Sequence, residues 1–65
     1  MTLAQHRKAN GLTQRQLGEK IGVSQRTIAN WEGGEREPSA EKILKITEVL
    51  HLTIWEAWNT FIAHR

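Results

Sequence analysis

The chain has 65 residues, no cysteine and a formal net charge of +2. This length allows one domain with a small core, so its stability must come from packed helices, from a partner chain, or from both. Without cysteine there is no disulfide framework and no thiolate metal site, and the chain carries neither an apolar run of membrane-spanning length nor a secretory signal pattern. We therefore expect a cytoplasmic protein with no membrane partner.

The charged residues are unevenly distributed along the chain. Six basic and three acidic residues precede Glu37, whereas three basic and four acidic residues follow from that position onward. A basic half favours a polyanionic partner such as nucleic acid. Scattered lysine and arginine side chains are also common on any solvated face, so charge alone leaves both interpretations open.

Helix-start signals and helical spacing predict five short helices and no strand. The first helix candidate covers residues 2–9 and stops at Asn10 and Gly11. Thr13, with Gln16 three residues later, matches a capping box that opens the second helix. The expected N-caps of the third, fourth and fifth helices are Ser24, Ser39 and Thr53. The predicted fold class is all-α.

Apolar residues recur at helical spacing and indicate the faces that form the core. Leu17 and Ile21 share one face of the second helix, and Ile28 and Trp31 point inward from the third. The corresponding residues of the fourth helix are Ile43, Leu44, Ile46 and Leu50. The fifth helix carries Ile54, Trp55, Trp58, Phe61 and Ile62.

Gly18 and Gly22 lie where a helix would avoid glycine, which costs about 1 kcal/mol relative to alanine in a helix interior. Only Gly22 and Val23 separate the second helix from the Ser24 cap, so the two helices must cross steeply, as in a helix-turn-helix. Gly22 would supply the left-handed residue of the turn, and Gly18 the clearance where backbones approach. A neutral Gly18 and an ordinary stop at Gly22 would explain each glycine separately. The pair together predicts a helix-turn-helix over about residues 13–32.

The segment from Leu12 to Trp58 resembles the Cro and phage-repressor type of helix-turn-helix domain, the XRE family. The resemblance rests on "LTQ" at the start of the second helix, on "IGVSQRTIANWE" across the turn and third helix, and on "PS" before the fourth helix. It implies a compact five-helix, lambda-repressor-like DNA-binding domain over residues 1–65. It also implies binding to operator DNA, usually as a dimer.

The third helix displays side chains that are suited to reading base edges. In a helix-turn-helix this recognition helix enters the major groove with its first turns. With Ile28 and Trp31 inward, the outward positions include Gln25, Arg26 and Asn30. Arginine can pair with guanine through two hydrogen bonds, and glutamine or asparagine can pair in the same way with adenine. We expect these three side chains to contact bases, although most helices carry polar residues on their exposed face without any ligand.

Contacts with the DNA backbone are expected near the ends of the second and third helices. Gln14 and Arg15 open the second helix, where free amides and the helix dipole favour an anion. The resemblance implies that Gln14 touches a phosphate and supports the recognition helix. Arg36 lies in the loop after the recognition helix, where we expect the flexible pair Gly33 and Gly34 to expose backbone amides. Glu35 replaces a cation that the family often has, and its carboxylate would repel phosphate. The full set of expected backbone ligands is Gln14, Arg15, Ser24, Thr27 and Arg36.

Arg7 and Glu32 are expected to serve the structure rather than the DNA. The resemblance implies an ion pair between an arginine of the first helix and the glutamate that ends the recognition helix, and both residues are present. Such a pair orients the two helices. The other residues with an expected structural role are Gly18, Gly22 and Trp31.

The fifth helix is rich in aromatic residues. A large exposed apolar cluster on a small chain marks a partner surface. As an alternative, Trp55 could fold back onto the small core. We expect a homodimer interface that consists of Trp55, Trp58, Phe61 and Ile62. A symmetric dimer would place two recognition helices about 34 Å apart on a palindromic operator.

No catalytic or metal-ligating arrangement is present in the sequence. His6, His51 and His64 are isolated from one another, aspartate is absent, and there is no nucleophile with a base or glycine-rich phosphate loop. We expect no enzyme activity, no cofactor, no metal and no small-molecule substrate.

The sequence predicts a DNA-binding transcription regulator, either a repressor or a Cro-like protein of a phage or bacterium. Two alternatives stay open: an antitoxin that binds its own operator and a toxin, and a protein-interaction module that uses the aromatic fifth helix. The polar side chains of the third helix, Gln25, Arg26 and Asn30, argue against a loss of DNA binding.

Overall fold

A computed structural model describes residues 1–63, and every regular element within that range is helical. The α-helices are α1 (Leu3–Ala9), α2 (Gln14–Ile21), α3 (Gln25–Gly33), α4 (Ala40–Val49) and α5 (Ile54–Ala57), and a π-helical segment, Trp58–Ile62, continues α5. The prediction of an all-α fold with five helices is confirmed. His64 lies outside the described residues.

A hydroxyl side chain opens each α-helix. The predicted N-caps are confirmed at Thr13, Ser24, Ser39 and Thr53. Thr2 opens α1 in the same way and forms a capping box with Gln5, which the prediction for residues 2–9 did not include. Each cap accepts a hydrogen bond from a first-turn amide that has no partner inside the helix.

The core lies where the first four helices meet. Its buried apolar members are Leu3, Leu17, Ile21, Ile28, Ile46 and Leu50. Each such side chain contributes about 1.5–3 kcal/mol when fully buried. Trp31 is half-buried and packs against this cluster from its edge, so its inward orientation is as predicted but its burial is partial.

Leu44 is a correction to the predicted core face of α4. Its side chain is 66% exposed. Ile46 and Leu50 are four residues apart, and both side chains are buried in the core. Leu44 precedes Ile46 by two residues, which places it about 200° away around the helix axis. Grouping Leu44 with the core face was therefore wrong.

The turn between α2 and α3 folds back onto α2. Gly22 has a φ of 79° and ends α2 in the left-handed conformation, as predicted. The Val23 amide donates to the Gly18 carbonyl at 2.9 Å. A Cβ atom at Gly18 would lie 2.6 Å from the carbonyl oxygen of Val23. The predicted backbone approach is confirmed, and the atoms that approach α2 belong to the turn itself.

The fifth helix changes its geometry after one turn. Its four α-helical residues continue directly into the π-helical segment. The Thr60 hydroxyl is 2.7 Å from the Glu56 carbonyl oxygen and 3.2 Å from that of Met1, so this segment also contacts the N-terminus. Because a π-turn contains more residues than an α-turn, side chains after Trp58 are rotated relative to their positions in a regular α-helix.

We expect Gly18→Ala to destabilise the protein by about 1–3 kcal/mol, because the new methyl group would overlap the Val23 carbonyl. Urea unfolding followed by circular dichroism measures this change. Gly33→Ala is the matched control, since a Cβ at Gly33 meets no atom within 4 Å. The control should be neutral or stabilising by up to about 1 kcal/mol. Equal stability of the two variants would contradict the packing argument.

Candidate nucleic-acid interface

The first turn of α3 presents unpaired polar side chains to solvent. Gln25 and Arg26 are exposed, and among residues 1–63 neither side chain has a hydrogen-bond or ion-pair partner. Asn30 lies one turn after Arg26, and its half-buried side chain is also unpaired within that range. The three residues predicted to contact bases therefore keep their hydrogen-bonding groups available for a ligand.

Ser24 and Thr27 form the start of α3. The Ser24 hydroxyl accepts a hydrogen bond from the Thr27 amide at 3.1 Å. The two hydroxyl oxygens are 2.9 Å apart, so one of them donates to the other. Each hydroxyl carries one proton, and one of the two protons is used in this contact, so one O–H group remains as a donor. This group can donate a hydrogen bond to a phosphate oxygen.

α2 begins beside the end of α3. Gln14 is half-buried, and its Nε2 donates to Glu32 Oε1 at 3.0 Å. Because a carboxylate can only accept, this contact turns the amide nitrogen of Gln14 towards Glu32 and leaves its second N–H and its oxygen available. Arg15 makes an exposed ion pair with Glu19 at 3.2 Å. Exposed pairs of this kind contribute little, so the guanidinium can exchange Glu19 for an anion.

Arg7 and Glu32 form a nearly buried ion pair that connects α1 to the end of α3. Arg7 Nε donates to Glu32 Oε2 at 2.6 Å, and Arg7 Nη2 donates to Oε1 at 3.2 Å. Their side chains are only 10% and 9% exposed. Arg7 Nη1 donates to the Leu12 carbonyl at 2.8 Å, which adds the α1–α2 connection to the network. No side-chain pattern could have indicated this last contact, because it uses a backbone acceptor.

The environment of Glu32 favours its charged form. Burial by itself raises the pKa of the carboxyl group. The hydrogen bonds from Arg7 and Gln14, together with the positive charges of Arg7 and Lys8, outweigh burial and lower the pKa of Glu32 below its ordinary value. Glu32 is therefore ionised in the folded protein at neutral pH and holds both Arg7 and Gln14 in place.

The loop after α3 differs from the expectation of free amides. Gly34 ends α3 with a φ of 79°, and its amide donates to carbonyls of the last turn. The amides of Glu35 and Arg36 donate to the Asn30 carbonyl at 3.0 and 3.4 Å. Gly33 belongs to α3 and the Gly34 amide is engaged by the helix end, so the expectation that these two glycines expose free amides was wrong. The exposed Arg36 side chain remains a candidate ligand, with the exposed Glu35 beside it.

The four residues of the predicted dimer interface separate into two pairs. Trp55 is 73% and Trp58 is 52% exposed, so the alternative that Trp55 folds onto the core is wrong. Phe61 and Ile62 are half-buried; Phe61 packs against the core and lines a groove of about 430 Å³ together with Arg36 and other residues. Ile54, at 81% exposure, extends the surface of the two tryptophans. Its spacing placed Ile54 on the apolar side of the fifth helix, but the predicted interface did not include it.

Residues 1–63 contain neither a candidate metal site nor a membrane-spanning helix. In that range no group of three or more histidine, cysteine, aspartate or glutamate residues could hold a metal ion. No helix there is both long and apolar enough to cross a membrane. His6 is a buried residue of α1, and His51 is exposed after the C-cap of α4.

Comparison with known proteins identifies similarity over most of the chain. The sequence profile of the helix-turn-helix family matches residues 3–54. The chain is 39% identical over 54 residues to the cryptic phage CTXphi transcriptional repressor RstR of Vibrio cholerae serotype O1, an alignment that covers 83% of this chain and 48% of RstR. No solved structure gives a significant match.

Two further relatives differ from RstR in the role that their names state. The HTH-type transcriptional activator BcrR of Enterococcus faecalis is 39% identical over 54 residues, which are 83% of this chain and 26% of BcrR. The antitoxin HipB of Escherichia coli O6:H1 is 40% identical over 48 residues, which are 74% of this chain and 51% of HipB. The chain thus spans about half the length of RstR and HipB and about a quarter of BcrR.

We expect the stability of the protein to fall in acid partly through Glu32. Because its folded-state pKa lies below the ordinary glutamate pKa of about 4.5, ionised Glu32 stabilises the fold fully above that pH. The contribution is lost as the pH falls through the lower folded-state pKa. Glu32→Gln should cost about 1.5–3 kcal/mol at pH 7 and show a shallower loss of stability below pH 5.

Urea unfolding at a series of pH values from 7 to 3 measures this difference. Glu19→Gln is the matched control, because it removes a carboxylate from the exposed pair with Arg15. The control should follow the wild-type profile. A Glu32→Gln profile parallel to that of the wild type would contradict the assignment.

Proposed function

The chain belongs to the helix-turn-helix family, and from this premise we propose that it is a sequence-specific transcription regulator that reads double-stranded DNA with α3. The proposal depends on one observation above all: Gln25 and Arg26 are exposed and unpaired on the first turn of a helix whose far end is held by Arg7 and Glu32. Rigid placement with free reading groups is what major-groove recognition requires. The sign of regulation that we propose is repression, which is the role that the name of RstR states for that protein.

Base contacts and backbone contacts have separate roles in this proposal. Arg26 matches guanine, while Gln25 and Asn30 match adenine through paired donor and acceptor groups. The backbone ligands would be Gln14, Arg15, Ser24, Thr27 and Arg36. They fix the position of the protein on the duplex and carry the salt dependence of binding, but they carry little sequence information.

A second copy of the chain is the partner that we propose for the exposed surface of Ile54, Trp55 and Trp58. Buried aromatic side chains contribute about 150–250 Å² each, so these residues from two protomers supply on the order of 1,000 Å², the size at which specific interfaces begin. Phe61 and Ile62, which are half-buried, would border the contact. A two-fold dimer places its α3 helices on equivalent half-sites of a palindromic operator.

An antitoxin is the second candidate function. The 40% identity to antitoxin HipB favours it. In that case the exposed surface of Ile54, Trp55 and Trp58 would stay unpaired in the purified protein and bind a different protein. The two candidates share DNA binding by α3, so they differ in the partner and not in the reading helix.

We expect selection from a pool of random duplexes at fixed salt to yield a palindromic consensus with half-sites about one turn, or 34 Å, apart. Arg26→Ala should lose about 1–3 kcal/mol and relax the consensus at one position in each half-site. Arg36→Ala should weaken binding to all sequences alike and lower the salt slope by about 1 for each phosphate that is no longer neutralised.

Lys45→Ala is the control for the loss of one positive charge, because Lys45 is an exposed cation of α4. Its consensus and affinity should equal those of the wild type. A wild-type protein that selects no consensus and binds only with a steep salt dependence would contradict sequence-specific reading.

We expect the wild-type protein to be a dimer in sedimentation equilibrium and Trp55→Ser to weaken the dimer by about 2 kcal/mol or more, roughly thirtyfold in Kd. Leu44→Ser is the matched control, since it removes an exposed apolar side chain from another helix. A wild-type monomer that still selects a consensus would reject the dimer and favour the antitoxin candidate.

A further inference from the structure

Ala29 is an apolar side chain within the polar face of α3. It lies four residues after Gln25, three after Arg26 and directly before Asn30. Residues three and four apart are neighbours on a helix surface, so the Ala29 methyl group lies next to the side chains of Gln25 and Arg26. Ala29 is partly exposed and does not belong to the core cluster. Packing of the described core therefore does not account for it.

The major groove offers one apolar feature among its donors and acceptors, which is the 5-methyl group of thymine. When an amide side chain such as Gln25 or Asn30 pairs with adenine, the thymine of the same base pair presents its methyl group in the same groove. A polar side chain against this methyl group would be desolvated without a partner, at a cost to binding. An alanine methyl group can be buried against it without this cost.

We propose that Ala29 is a specificity-determining residue that packs against the 5-methyl group of one pyrimidine in each half-site. This inference rests on the proposed function, because it requires α3 to lie in the major groove. In unmodified DNA the pyrimidine is thymine. 5-Methylcytosine carries the same group at the same place, so Ala29 recognises a methylated pyrimidine and not the base pair as such.

Ala9 supplies the matched control, because it is an exposed alanine of α1 that lies outside the residues proposed to contact DNA. Ala9→Gly removes the same methyl group from a helix, so it reproduces the loss of helix propensity that Ala29→Gly causes. It leaves the outward face of α3 unchanged.

The experiment measures Kd for the selected duplex and for duplexes in which each thymine in turn is replaced by deoxyuridine, which lacks the methyl group. Wild-type protein should bind about fourfold more weakly when deoxyuridine replaces one particular thymine of each half-site. This factor corresponds to the free energy of burying one methyl group. Ala29→Gly should show no loss at that position, and Ala9→Gly should respond as the wild type does. For each protein, Kd for the deoxyuridine duplex is divided by Kd for the thymine duplex. A lower stability of the glycine variant affects both values equally and cancels in this ratio.

A second set of duplexes carries cytosine or 5-methylcytosine at the same position. Wild-type protein should bind the methylated duplex about fourfold more tightly, and Ala29→Gly should bind both equally. If deoxyuridine has no effect at any thymine, or if Ala29→Gly keeps the wild-type response, the inference is wrong, while a consensus that depends on Arg26 leaves the proposed function intact. If no sequence preference exists at all, both are wrong.

Discussion

The close approach of the α2–α3 turn to Gly18 is the constraint on which the rest of the structure depends. The Val23 amide donates to the Gly18 carbonyl, and the Val23 carbonyl occupies the space where a side chain at Gly18 would lie. Gly22 reverses the chain there in a left-handed conformation. These backbone contacts fix the direction in which α3 leaves α2, and this direction decides that Ile28 is buried.

The far end of α3 is held by charge rather than by backbone packing. Glu32 accepts hydrogen bonds from Arg7 and Gln14, so α1, the start of α2 and the end of α3 meet at one carboxylate. Removing one charged partner would leave a nearly buried charge uncompensated, which would destabilise the fold. With the turn at one end and this network at the other, α3 is held at both ends, and Arg26 takes no part in either contact.

The small core also explains why so much apolar surface remains exposed. A chain of 65 residues buries six apolar side chains in its main cluster, while Trp55 and Trp58 stay largely outside it. Covering such side chains by association adds burial that a domain of this size cannot supply alone. The basic residues concentrated before Glu37 lie in the part that contains α2 and α3. One half of the chain therefore carries most of the basic side chains, and the other carries the exposed aromatic surface.

The sequence by itself determined the local features: the helices, the N-caps at Thr13 and Ser24, the left-handed Gly22 and the outward polar face of α3. These follow from side chains a few residues apart, whose spacing is visible in one dimension. Only the tertiary structure decided the contact between Gln14 and Glu32, the exposure of Leu44, the engaged amides after α3 and the separation of the exposed tryptophans from the half-buried Phe61 and Ile62. These depend on how helices rotate against one another and on backbone acceptors, and neither leaves a pattern in the order of side chains.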